Sequence, residues 1–143
     1  MRWATLVLLT LVACNDLRGF RGDWRGPRVG DADVLRVGFG DTTATLSIDR
    51  VDTHGLTARL SIEGVLPETQ IESLPGAEAD VLAGITFGGS PLRVYLAFVA
   101  MADGGGEALV VVALYDDRRV EVRLLRGGTA PRYGIFALTA SAA

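Results

Sequence analysis

Residues 42–62 read Thr-Thr-Ala-Thr-Leu-Ser-Ile-Asp-Arg-Val-Asp-Thr-His-Gly-Leu-Thr-Ala-Arg-Leu-Ser-Ile. Ala44, Leu46 and Ile48 alternate with Thr43, Thr45, Ser47 and Asp49. After a short break Leu56, Ala58, Leu60 and Ile62 alternate with Thr57, Arg59, Ser61 and Glu63. A side chain that changes face at every residue belongs to a strand, because successive Cβ atoms point to opposite sides of a sheet. The break, Asp52-Thr53-His54-Gly55, is turn chemistry: Asp bonds nearby backbone, and Gly accepts a positive φ. Two alternating runs around such a loop predict an antiparallel hairpin with one apolar face.

The period of two extends in both directions. Upstream, residues 34–39 predict a strand ended by Gly40-Asp41. Downstream, Pro67 and Pro75-Gly76 interrupt the chain, with short strands expected over residues 69–74 and 79–87 and a turn over 88–91. Residues 92–101 and 108–115 are apolar on both faces, as in strands covered on both sides. Asp103-Gly104-Gly105-Gly106 turns the chain between them, and Asp116-Asp117 starts a tight hairpin. Over residues 118–126, Val120, Val122 and Leu124 face in, and Arg119, Glu121 and Arg123 face out. A last strand covers residues 132–139. No amphipathic helix of helical period follows the N-terminal stretch. The fold class is all-β: an antiparallel meander of about eight or nine strands, counting one around Trp24, closed into a barrel or folded into a sandwich.

Composition narrows the function classes. The chain has 143 residues, 49% of them hydrophobic and 22% charged, which suits one globular domain and not a disordered one. Its net charge is −3, and all 14 basic residues are arginine, a bias read as genome base composition and not as chemistry. Nothing in that balance predicts a nucleic-acid partner.

The N-terminus carries a separate signal. Arg2 precedes an apolar run, residues 3–13, that ends Leu11-Val12-Ala13-Cys14. As a helix, 11 residues span about 16 Å, half of a bilayer's hydrocarbon core. A positive start, a short apolar centre and a small residue before a cut site are the parts of an export signal. Leu11-Val12-Ala13-Cys14 resembles the lipobox of bacterial lipoproteins. The resemblance implies cleavage between Ala13 and Cys14 and a diacylglycerol on the Cys14 thiol, hence a membrane anchor. With the composition of residues 15–29 and the period of two that follows, this gives three segments: a signal peptide over 1–13, a lipidated tether over 14–31 and a β domain over 32–143, with the first strand starting as early as residue 20. Cys14 is the sole cysteine, so no intrachain disulfide supports the fold. In enterobacterial lipoproteins an Asp after the Cys retains the protein in the inner membrane. Asn15 by that resemblance points to the outer membrane.

Gly22-Asp23-Trp24 places Gly-x-Trp at the head of the β series. This resembles the first strand of lipocalin-like barrels, in which the Trp closes one end and an Arg from a late strand packs across it. Arg123 or Arg132 would take that part here. The other place for Trp24 is the membrane interface, which suits its half-polar ring.

Catalytic and metal chemistry find little support. His54 is the one histidine and sits in a turn, without the partners of a zinc site or a triad. Asp31 and Asp33, Asp49 and Asp52, and Asp116 and Asp117 lie at strand ends, where Asp favours turns. Asp103 to Glu107 reads as a hairpin turn, without the ligand density of a calcium loop. Arg119, Arg123 and Arg132 form a basic stripe broken by Glu121, read as cross-strand pairing on a solvated face. No enzyme, cofactor or metal is expected. The leading expectation is a lipid-anchored cell-envelope protein whose β domain binds a small apolar or lipid-like ligand. The alternative is a non-catalytic interaction or assembly protein with an envelope partner, its barrel filled by Leu46, Leu60, Leu96, Phe98, Leu114 and Leu124. A hydrolase is the third.

Overall fold

A computed structural model describes residues 16–30, 39–74, 89–101, 106–128 and 131–141. Eight strands form among them: β1 (Gly22–Val29), β2 (Thr43–Val51), β3 (Leu56–Ile62), β4 (Leu66–Glu72), β5 (Arg93–Ala100), β6 (Glu107–Leu114), β7 (Val120–Arg126) and β8 (Arg132–Ala140). Their order in the sheet is β4-β3-β2-β1-β8-β7-β6-β5, with every neighbouring pair antiparallel. The meander therefore runs round until the first strand meets the last. Trp24 lies opposite Ala140, Arg25 opposite Thr139, Arg28 opposite Phe136 and Val29 opposite Ile135.

The ring breaks between β4 and β5. Among the described residues the Leu74 N–H, just past β4, donates to the Leu96 carbonyl of β5 at 2.8 Å across that seam, and the Tyr95 hydroxyl of β5 donates to the Asp52 carbonyl of the β2–β3 turn at 2.7 Å. The result is a nearly closed barrel. Its lower end holds the starts of β1, β3, β5 and β7. Its upper end holds their finishes.

Inward rows follow from the register. Leu46 faces Trp24 and Leu60; Val112 faces Tyr95 and Val122; Phe136 lies opposite Val122. Ala44, Leu46, Ala58, Leu60, Ala108, Val110, Val122, Leu124, Phe136 and Leu138 are all 0% exposed. A void wide enough to hold water would leave its walls accessible. These rows therefore fill the barrel with their own side chains, each large one contributing about 1.5–3 kcal/mol on burial. Aromatic rings occupy both ends. Trp24 and Phe20 stack at the lower end. At the upper end the absent side chain of Gly134 leaves room for the rings of Phe39 and Phe136.

Several expectations change. β1 begins at Gly22, close to the earliest start expected for the first strand, and the strand pattern of β2 is broken by a bulge between Ile48 and Arg50. The extra residue turns both Ile48 and Val51 inward, three positions apart. Pro67 does not interrupt the chain but lies inside β4, a strand at the seam, where a missing N–H is tolerated. Of the expected filling side chains, Leu46, Leu60, Leu114 and Leu124 are buried in the barrel. Leu96 and Phe98 point outward, because the register puts Tyr95, Ala97 and Val99 inside; Phe98 is 53% exposed. With apolar residues on both faces of β5, period alone could not choose. The strand expected over 79–87 and most of that over 34–39 lie outside the described residues.

Closure leaves no room for a side chain at Gly26. A Cβ there would collide with the Ala137 carbonyl of β8. Gly127 meets nothing within 4 Å. Gly26→Ala is expected to cost about 1–3 kcal/mol or more, as overpacking against backbone does, while Gly127→Ala stays near wild type. Urea unfolding followed by tryptophan fluorescence checks both.

Candidate functional site

Three places on the barrel gather polar or exposed groups. The first is the lower end. Asp16 caps a 3-10 turn, Leu17–Phe20, by accepting from the Arg18 N–H at 3.0 Å. Phe20 is buried and its ring stacks on Trp24 with centroids 5.7 Å apart. The indole Nε1–H of Trp24 donates to the Phe20 carbonyl at 2.8 Å. From the β6–β7 hairpin, Arg118 donates Nη1 to the Gly19 carbonyl at 3.1 Å. Arg118 has φ of 63°, a left-handed conformation in which Gly or Asn is ordinary. An arginine is held there because its guanidinium reaches across the barrel end and latches the turn.

The second place is the outer wall of β6, β7 and β8. The Tyr115 hydroxyl donates to Glu121 Oε2 at 2.9 Å. Arg123 donates Nε to Glu121 Oε1 and Nη1 to the Tyr133 hydroxyl. The side chains of Arg123 and Glu121 are 8% and 9% exposed. The Arg119 guanidinium lies over the Tyr115 ring, 4.3 Å from its centre. This face is thus not the solvated stripe expected of Arg119, Glu121 and Arg123. Val111 and Ala113, outward on neighbouring β6, are also 0% exposed. Burial pushes the Tyr115 hydroxyl up to about 12, with the bond to Glu121 adding to the effect. Tyr95 at the seam is likewise pushed up to about 12, chiefly by burial.

The third place is an open hollow of about 490 Å³ at the upper end, lined by residues 61–67 of the β3–β4 hairpin.

The remaining candidates are separate from these. Asp52 Oδ1 accepts the backbone N–H groups of His54 and Gly55, and those bonds hold its carboxyl below the usual range. The His54 ring is 94% exposed. Asp49 pairs with Arg59 at 3.4 Å, and Asp117 with Arg119 at 3.7 Å. Among the described residues no group of three potential metal ligands forms. Ala13, Cys14, Asp31, Asp33 and Asp103 lie outside the described residues.

Trp24 is 2% exposed and in the core, not at an interface. Gly22, two residues before it, has φ of 115°. Arg132 lies at the upper end, opposite Arg126, whereas Trp24 lies opposite Ala140 at the lower end. Arg123 is engaged on the outer wall. Neither stands beside Trp24; the arginine that reaches its segment is Arg118. No family model matches this chain, and neither the curated proteins nor the solved structures contain a significant match.

Arg118 does not stand out in the sequence, because the alternating pattern of residues 118–126 puts it at the start of a strand, whereas the strand begins at Val120. Nor do Tyr115 and Tyr133 stand out as partners of Glu121 and Arg123. The available signal was the double-sided apolar pattern of β6, which implies that the outer face beside it is covered as well.

Two outcomes follow from this geometry. Arg118→Ala loses the latch and is expected to cost about 1 kcal/mol. Arg118→Gly loses the same bond but relieves left-handed strain of about 1 kcal/mol, so it lands near wild type; thermal unfolding of the two variants separates them. For the tyrosines, a folded value above the unfolded one means that the native state keeps the proton longer. Stability from Tyr95 and Tyr115 is complete below pH 10.0 and falls as pH rises toward about 12. Absorbance titration of the phenolates is expected to show two late components, one of them absent in Tyr115→Phe.

Proposed function

We propose that this chain is an exported bacterial lipoprotein, held by a lipid on Cys14, that works as a non-catalytic interaction or assembly protein of the cell envelope. The observation that supports this most is the packed interior. With the inward rows of β2, β3, β6, β7 and β8 fully buried, the outer surface is left as the working part. That surface carries an apolar row across three strands, Phe98 beside Leu109 and Leu109 beside Leu125. Within this row Phe98 is 53% exposed and Leu109 and Leu125 are half-buried, and an exposed aromatic on an apolar surface suits a protein partner. Asn15 after Cys14 supports placement in the outer membrane.

One observation favours a second reading. The hollow of about 490 Å³ at residues 61–67 has the size of a small-molecule site. A small apolar or lipid-like ligand would bind there, at the rim, and not among the inward rows.

The test is mass spectrometry of the full chain, produced with its own N-terminus in a bacterium and extracted in detergent. The expected intact mass is that of a chain starting at Cys14 with acyl glycerol attached, and the native spectrum shows no further adduct. A discrete adduct lost on denaturation would replace the interaction-protein reading with the ligand reading. A chain that retains residues 1–13 and an unmodified Cys14 would overturn the anchor.

A further inference from the structure

We infer that the lower end of the barrel is the face that rests on the bilayer, so that the protein stands end-on on a lipid surface. This rests on the lipid-anchor reading of Cys14 and goes beyond it by assigning the membrane-facing surface.

The geometry begins at Asp16. From Asp16 to Phe20 the chain is built onto the barrel by the Asp16 cap, the Phe20–Trp24 stack, the Trp24 bond to the Phe20 carbonyl and the Arg118 bond to the Gly19 carbonyl. Leu17 packs against the core as well. Cys14 is two residues before Asp16, and two residues span at most about 7 Å. A lipid on Cys14 is therefore held within one short step of the lower end and has no tether to swing on.

The surface brought to the membrane comprises the 3-10 turn, the Asp52–Gly55 turn and the hairpin over residues 115–119. Charge does not select it. Arg18, Arg21 and Arg118 are exposed there, but so are Asp16, Asp116 and Asp117. The short covalent link sets the orientation, so it should survive high salt, unlike a purely electrostatic dock. Strands of up to nine residues, tilted as in a barrel, put the two ends roughly 20–25 Å apart. The hollow at residues 61–67 then faces away from the lipid.

The test uses the full acylated chain in phospholipid vesicles whose headgroups carry an energy acceptor. A donor dye is placed at Thr53→Cys, at the lower end, or at Glu63→Cys, at the upper end; the acylated Cys14 thiol does not react. Several-fold stronger transfer from position 53 than from position 63 is expected, unchanged in high salt. A flexible Gly-Ser linker inserted between Asn15 and Asp16 should erase the difference. Equal transfer from the two sites without the linker overturns the orientation, and a difference that persists with the linker overturns the short covalent link as what sets it. If the intact mass lacks the acyl group, or the chain fails to float with vesicles, the anchor reading falls and the orientation falls with it.

Discussion

The pairing of β1 with β8 is the constraint on which this barrel depends. An open meander of eight strands would present two full edges, each a row of unpaired N–H and C=O groups. Joining first strand to last removes most of that liability and leaves only the β4–β5 seam. The ladder contains a gap at Gly26 and Pro27 between its paired positions. Pro27 has no N–H to offer, and Gly26 has no Cβ to obstruct, so the Ala137 carbonyl of β8 comes in against β1. The two residues that look least like strand formers are what allow the strands to close. Such a contact joins positions far apart in the chain. Its loop-closure cost is offset only when the inward rows pack together.

Closure also divides the outer wall into two halves with different chemistry. On β1, β2 and β3 the outward residues are polar and pair across strands: Ser47 with Asp23, Arg25 with Glu63, Arg59 with Asp49. Exposed pairs of this kind contribute about 0–1 kcal/mol. On β5 and β6 the outward residues are apolar, and beside them Glu121 and Arg123 are buried. There the balance differs. A buried carboxylate and guanidinium cost several kcal/mol each to desolvate, and only mutual bonding with Tyr115 and Tyr133 offsets about that much. Through Arg123 and Tyr133 the network ties β7 to β8, and through Tyr115 it ties β7 to the end of β6.

The strands were legible in the sequence wherever one face met water. Residues 42–62 announce their hairpin because Thr, Ser, Asp and Arg mark the outside at every second position. The expectation of an all-β antiparallel meander holds for the same reason. Legibility stops where both faces are apolar. Nothing in Leu96-Ala97-Phe98 tells which residue faces in, and the register with β6 decides it. It stops again where a turn borrows a residue from a strand pattern. Arg118 fits an alternating run, yet its φ of 63° and its bond to Gly19 come from a distant hairpin meeting the 3-10 turn before β1. Long-range contacts of that sort leave no periodic trace. The same limit applies to the arginine expected beside Trp24: strand order named late-strand residues, whereas ring closure brought a hairpin tip.

The lower end shows why the latch and the aromatic stack belong together. Trp24 is too large to be covered by short strand ends, and its indole N–H needs an acceptor once buried. The Phe20 carbonyl supplies that acceptor only if the chain before β1 folds back as a 3-10 turn. That turn is short, and short 3-10 turns hold poorly by themselves. Arg118 holds it by engaging the carbonyl one residue earlier, and Asp16 holds it from the other side. Each element satisfies a group that the previous one exposes. The barrel end is therefore sealed by residues 16–20, the segment that leads into β1.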